Sequence, residues 1–126
     1  MGKLSTHILD LAHGKPAHGV QIELYRVAPA AGGDAGEQRE RQLLKREISN
    51  ADGRTATPLL EGETLLAGKY ELVFAAGDYF ATLGLPLPEP RFVDQVTLAF
   101  GIADPAQNYH VPLLVTPWAY STYRGS

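Results

Sequence analysis

The chain has 126 residues, of which 44% are hydrophobic and 20% are charged, and its formal net charge is −3. This length suits one domain with its own core, so we expect a single domain over residues 1–126. The slightly acidic balance argues against a nucleic-acid partner, and the absence of cysteine excludes disulfides and thiolate metal ligands.

The sequence also argues against a membrane partner. No apolar run approaches the roughly 18 residues that a membrane-spanning helix needs. The first seven residues lack the apolar segment of a signal peptide. We therefore expect a protein of the cytoplasm.

In chain order, several short segments alternate between apolar and polar residues, which is typical of strands with one face on a core. These segments are residues 6–9, 20–25, 69–74, 95–100 and 109–115. Pro112 has no N–H to donate to a neighbouring strand, so the last segment is predicted to lie at a sheet edge or to contain a bulge.

Turn-forming residues separate these segments, and helical periodicity is scarce. Residues 28–36, rich in Ala and Gly, predict a flexible loop. Residues 78–83 predict one short helix, with Asp78 as its N-cap and its end near Gly84. Many short strands with at most one helix predict an all-β fold, an antiparallel sandwich.

Two of the four histidines are candidates for chemistry. His13 and His18 flank a turn-like segment and are interpreted as ordinary surface residues. His7 and His110 lie inside apolar strands, where a polar side chain needs a partner. His7 shares its strand face with Ser5 and Leu9. Each could act as a general base near neutral pH. Together they could also begin a metal site, although no third ligand stands at a recognisable spacing.

Two further features carry polar groups that suit a ligand. Arg54 follows the turn dipeptide Asp52-Gly53, and its planar guanidinium suits an anionic or carbonyl-rich ligand. A solvated turn residue is the alternative interpretation of Arg54. The C-terminal residues 120–126 follow a strand directly and combine two tyrosines with Arg124 and a terminal Ser126.

At these residues the chain resembles the transthyretin-related 5-hydroxyisourate hydrolases over essentially its whole length. The matching motifs are Leu-Ser-Thr-His-Ile-Leu-Asp at residues 4–10, Gly-Lys-Pro-Ala at 14–17, Asn-Ala-Asp-Gly-Arg at 50–54, Tyr-His-Val-Pro-Leu-Leu at 109–114 and the C-terminal segment 117–126. The closing Tyr-Arg-Gly-Ser is the most specific, because in this family it separates the hydrolases from the carrier transthyretin.

The resemblance implies a transthyretin-like (prealbumin-like) fold of two four-stranded sheets with one short helix. It implies a homotetramer, a dimer of dimers, that hydrolyses 5-hydroxyisourate without a metal or organic cofactor. The family's positions fall on His7, Arg54, His110 and Ser126 as catalytic residues, and on His7, Arg54 and Tyr123 as substrate-binding residues.

Two other classes of function stay open at this point. A transthyretin-like carrier could hold a hydrophobic ligand between dimers, although such a channel should be lined mainly by apolar groups. A non-enzymatic sandwich could instead pair its edge strands with a partner protein. That last interpretation leaves the C-terminal motif unexplained.

Overall fold

The computed structural model describes residues 2–28 and 40–126. The predicted loop over residues 28–36 therefore lies, apart from its first residue, outside the described residues. No helix within the described ranges is long and apolar enough to cross a membrane.

The described residues form two β-sheets that share one apolar core. The first sheet has the strand order β2-β1-β8-β9, with β5 also pairing with β1. The second has the order β4-β3-β6-β7. The strands are β1 Lys3–Asp10, β2 Lys15–Pro16, β3 Gln21–Val27, β4 Arg41–Ile48, β5 Leu60–Glu61, β6 Gly68–Phe74, β7 Val96–Ile102, β8 Tyr109–Val115 and β9 Tyr120–Ser121. The predicted transthyretin-like sandwich is confirmed.

One pairing departs from the antiparallel pattern that the sequence predicted. Strands β1 and β8 run parallel over seven residue pairs, from Leu4 opposite Tyr109 to Asp10 opposite Val115. A parallel pair cannot be joined by a tight hairpin, and here most of the chain lies between the two strands.

The alternation of apolar residues correctly predicted the strands that line the core. In β6, for example, Tyr70, Leu72 and Phe74 are at most 1% exposed. The sequence missed β4, which is an edge strand whose side chains are exposed or half-buried on both faces. A strand with so little burial lacks the alternation that identifies its neighbours.

The short helix was predicted, but its beginning was not. Helix α1 spans Ala76–Thr82 and its N-cap residue is Ala75, so Asp78 lies in the first turn and is not the N-cap. The Asp78 carboxylate accepts a hydrogen bond from Arg91. Burial of Ala76, Gly77, Tyr79 and Phe80 places the helix against the sandwich.

Pro112 lies near the middle of β8, between β1 and the short β9. His110, two residues earlier in β8, donates its backbone N–H to the Gly125 carbonyl oxygen of the C-terminal tail and not to β1. Strand β9 pairs only with Leu114 and Val115, so the missing N–H of Pro112 falls where pairing with the tail is interrupted. The prediction of a sheet edge or a bulge at Pro112 is therefore wrong, because β8 lies between β1 and β9 and its pairing with β1 is continuous.

A buried carboxylate joins β1 to the helix. Asp10 has no exposed surface, and it accepts hydrogen bonds from the Tyr79 hydroxyl at 2.8 Å and from the His13 backbone at 3.0 Å. The His13 ring lies 2.7 Å from the same carboxyl group. Burial raises the pKa of Asp10, but these partners lower it further than burial raises it. His13 is therefore part of a buried polar cluster, and not only a surface residue as the sequence suggested.

We expect Tyr79→Phe to reduce the free energy of unfolding by roughly 1–3 kcal/mol, because it leaves a buried carboxylate short of one donor. The pKa of Asp10 is lowered in the fold, so this cluster stabilises the protein above the usual aspartate pKa and less as the pH falls through the folded-state value. Urea unfolding at neutral and at acidic pH would measure the effect. The exposed Tyr120→Phe is the control, and an equal loss in both variants would contradict the expectation.

Candidate active site

The two strand histidines lie on the outer face of the first sheet, away from the core. In β1, the residues that alternate with buried ones are Ser5, His7 and Leu9, and in β8 His110 is half-buried in the same way. The rings of His7 and His110 have their centroids 6.5 Å apart at an angle of 41°. The parallel pairing of β1 with β8 thus brings together two residues that are about a hundred positions apart in the sequence.

The ring of His110 has a side-chain partner on the neighbouring strand. Ser5 stands directly opposite His110 in the β1–β8 register. The Ser5 Oγ lies 2.8 Å from His110 Nδ1, close enough for a hydrogen bond in either direction. The alternation in the sequence predicts that Ser5 shares the His7 face, but it does not indicate a role for Ser5, because the strand register cannot be read from either segment alone.

A tight turn at residues 50–54 brings Arg54 to the edge of β1 beside His7. The Asn50 side chain accepts hydrogen bonds from the backbone N–H groups of Asp52 at 2.9 Å and Arg54 at 3.1 Å. The carbonyl oxygen of Gly53 then accepts from the Ile8 N–H at 2.8 Å. This bond fixes the turn on the middle of β1, between the points where β5 and β2 pair with the same edge.

Gly53 is required where this turn meets the strand. Its φ is +75°, and an added Cβ would lie 2.4 Å from the Ile8 carbonyl oxygen and 3.2 Å from Cδ2 of His7. A side chain at this position would therefore both strain the backbone and push the turn away from the histidine.

The C-terminal tail is paired with the strand that carries His110. Gly125 and His110 exchange two backbone hydrogen bonds, of 2.7 and 3.1 Å. The Arg124 guanidinium bonds Gln107 and the Asn108 carbonyl, and it lies 4.5 Å from the centre of the Tyr109 ring. Ser126 therefore follows one residue after a backbone bridge to His110.

Tyr123 lies in the tail between the residue that pairs with Leu114 and the residue that pairs with His110. It lines a cavity of about 360 Å³ between β7 and the tail, together with Leu98, Tyr109 and Arg124. Residues 109 and 111 of β8, which also line this cavity, alternate with His110 and point to the opposite face of the strand. The structure thus brings His7, Arg54 and His110 together, with Ser126 next in the chain to the bridge.

Burial and a neighbouring cation keep both histidines neutral. Burial lowers the pKa of His7 and the Arg54 charge lowers it further, while Asp52 opposes the shift. Burial also lowers the pKa of His110, followed by the charges of Arg54 and His7. At neutral pH each imidazole therefore has a free lone pair and can accept a proton from a bound water molecule.

The cluster offers few groups for a metal ion. Across residues 2–28 and 40–126, no group of three or more His, Asp or Glu side chains is arranged to hold one. Arg54 is exposed, and its guanidinium makes no hydrogen bond to another described residue. It is therefore available to bind an anion or a carbonyl oxygen supplied by a ligand.

These features define a class of protein, a two-sheet β-sandwich with a His–His–Arg cluster on the outer face of one sheet and an ordered C-terminal tail beside it. The model of the HIUase/Transthyretin family matches residues 4–125, and the chain belongs to this family.

Three similar proteins illustrate the relationship. A relative from Pseudomonas aeruginosa named 5-hydroxyisourate hydrolase is 52% identical over 126 residues, which is 100% of this chain and 93% of the relative. A structure of Klebsiella pneumoniae 5-hydroxyisourate hydrolase is 34% identical with a TM-score of 0.75, and each chain is covered completely. A crystal structure of (S)-allantoin synthase is 40% identical with a TM-score of 0.88. The match covers 99% of this chain but 44% of that one, so this chain spans less than half of it.

We expect Gly53→Ala to destabilise the fold by more than Gly14→Ala. Both glycines have positive φ, of +75° and +67°, so both variants carry a backbone strain of roughly 1–3 kcal/mol. Only Gly53 also faces close neighbours, whereas nothing lies within 4 Å of an added Cβ at Gly14. Chemical denaturation of the two variants would measure the difference. Equal losses would show that the turn does not depend on this close contact.

We expect Arg54→Met to raise the pKa of both His7 and His110, because it removes the positive charge that disfavours their protonated forms. A titration followed by NMR of the histidine rings would measure both values. Arg46→Met is the matched control, since Arg46 pairs with Glu23 on the other sheet and should leave both values unchanged. An unchanged pair of values in Arg54→Met would mean that the guanidinium does not act on this cluster.

Proposed function

We propose that this protein is a 5-hydroxyisourate hydrolase. It opens the six-membered ring of 5-hydroxyisourate to give 2-oxo-4-hydroxy-4-carboxy-5-ureidoimidazoline, a step of urate breakdown. The observation that carries the proposal is the pair of neutral, half-buried histidines beside a free guanidinium, in a chain 52% identical to a relative of that name.

The reaction adds water to a ring amide carbonyl and breaks the adjacent C–N bond. Water is a poor nucleophile, so a neutral imidazole that takes its proton accelerates the attack, typically by about 10²–10⁴-fold. We assign His7 and His110 to this task, and the lowered pKa values that keep them unprotonated at neutral pH support the assignment. The histidine that gains the proton then returns it to the ring nitrogen as the C–N bond breaks. The single ring-opened product carries a carboxylate and a ureido group.

Arg54 stabilises the negative charge that develops during the reaction. The carbonyl oxygen becomes an oxyanion when water adds, and a fixed cation next to it lowers the energy of that intermediate. A planar guanidinium can also bind two neighbouring carbonyl oxygens of a flat substrate. The turn at residues 50–54 supplies the fixed position, because its backbone is hydrogen-bonded to β1.

The C-terminal tail contributes the remaining predicted residues. We assign Ser126 to orienting the water or a histidine, and the pairing of Gly125 with His110 supports this assignment. Tyr123 is assigned to binding the substrate. Its place in the tail, between two pairings with the strand that carries His110, supports this assignment.

A homotetramer, built as a dimer of dimers, belongs to the same proposal. The histidine face is an open sheet surface in one chain, and a second subunit would cover it and exclude bulk water. A cytoplasmic location, the absence of a metal or organic cofactor, and a single domain also stay predictions. Sedimentation of the purified protein would measure the assembly.

We expect the protein to accelerate the decay of 5-hydroxyisourate, and His110→Asn to reduce kcat by about 10²–10⁴-fold, the range for loss of a general base. The substrate is generated in place from urate with urate oxidase, and its ultraviolet absorbance is compared with spontaneous decay. His18→Asn, at an exposed position outside the cluster, is the control and should keep nearly full activity.

The opposite result would favour a carrier. Decay at the spontaneous rate by a folded wild-type protein, together with tight binding of thyroxine, would replace the hydrolase with a transthyretin-like ligand carrier. Full activity in both histidine variants would instead leave the enzyme in place and refute the role of His110.

A further inference from the structure

The outer face of the β1–β8 pair contains the hydroxyl of Ser5, which has no role in the proposed reaction. Ser5 is half-buried, and its Oγ lies 2.8 Å from His110 Nδ1. Within residues 2–28 and 40–126, this ring nitrogen is the hydroxyl's sole hydrogen-bond partner, and the other ring nitrogen of His110 has none. The hydroxyl is therefore coupled to a ring that the proposed reaction requires.

We infer that Ser5 is a positioning residue, whose hydroxyl fixes the His110 ring through Nδ1 and leaves Nε2 as the nitrogen that exchanges protons with water or substrate. This inference rests on the proposed function. A histidine has two ring nitrogens, and a hydrogen bond held at one of them influences whether the other is protonated.

A hydroxyl suits this position because it can either donate or accept. When His110 is neutral with its proton on Nδ1, the ring donates to Ser5 Oγ, and Nε2 can act as a base. When Nε2 then gains a proton, the same Nδ1–H still donates to Oγ, so the ring need not turn during the cycle. In the other tautomer the hydroxyl donates to Nδ1, and Nε2–H becomes a donor for a carbonyl oxygen.

A carboxylate at this position would act differently. Its negative charge would favour the imidazolium and raise the pKa of the ring. The neutral hydroxyl orients the ring without that charge, so it does not oppose the effects of burial and of Arg54 on His110. Ser5 can thus hold the His110 ring in place while His110 stays unprotonated at neutral pH.

The contact between Ser5 and His110 follows from the register of β1 against β8. Ser5 and His110 are direct partners in a parallel ladder of seven pairs, and Gly125 holds the other edge of the same His110 backbone. Thr6, next in the strand, points into the core and donates from Oγ1 to the Val111 carbonyl oxygen at 2.7 Å. One strand pair therefore offers two hydroxyls on opposite faces, of which one touches the histidine.

The test compares Ser5→Ala, Ser5→Thr and Thr6→Val. We expect Ser5→Ala to lower kcat by about 3- to 30-fold, the size of one lost neutral hydrogen bond to a catalytic ring, with KM changed less than twofold. Ser5→Thr keeps the hydroxyl and should restore most of the activity. Thr6→Val removes the hydroxyl of the core face, and we expect it to lower the unfolding midpoint without the same loss of kcat.

Nitrogen-15 NMR of the histidine rings provides a readout that does not depend on turnover. Ser5→Ala should change the Nδ1 shift and the tautomer ratio of His110 and leave those of His7 as in the wild type, while Thr6→Val changes neither. The inference is overturned if the His110 resonances are unchanged in Ser5→Ala, or if its kcat stays within twofold of the wild type. If the wild type itself does not accelerate the decay, the proposed function fails, and the NMR comparison still decides whether Ser5 orients the ring.

Discussion

The parallel pairing of β1 with β8 is the constraint on which the site depends. Its register places Ser5 opposite His110 and His7 opposite Pro112. Because side chains alternate between the two faces of a strand, a slip of one residue in either strand would turn its histidine into the core. The buried partners on the other face, such as Ile8 and Leu113 at 0% exposure, oppose that slip. Packing of the core thus fixes the geometry of the histidines on the opposite surface.

The electrostatics of the cluster follow from where that register places charge. Two imidazoles and one guanidinium share a partly buried surface, so protonation of either histidine would add a positive charge beside Arg54. Neutral histidines are therefore the favoured state, and the guanidinium makes no salt bridge to another described side chain. In the proposed hydrolysis, the developing oxyanion supplies the negative charge that pairs with this guanidinium.

The sequence predicted the core strands and the candidate residues by two different routes. Alternation identified β3, β6 and β7, because their buried residues come every second position. Alternation could not identify β4, because its side chains are exposed or half-buried on both faces of the strand. The strand and turn context singled out His7, His110 and Arg54, the family resemblance gave them roles, and these three residues do lie together. Ser5 was missed because its importance depends on the pairing of two strands that are distant in sequence.

The segment of the tail that carries Tyr123 interrupts its pairing with β8, and the neighbouring strand supplies the physical reason. Gly125 pairs with His110, and Ser121 pairs with Leu114, but the chain between them leaves the regular ladder. The hydroxyl of Thr122 bonds the Pro112 carbonyl oxygen at 2.7 Å in this interval. Since Pro112 has no N–H to offer, the tail cannot continue as a regular strand beside it. The same proline therefore interrupts the ladder beside the segment that carries Tyr123, while Gly125 resumes the pairing in the same register and holds the end of the tail beside His110.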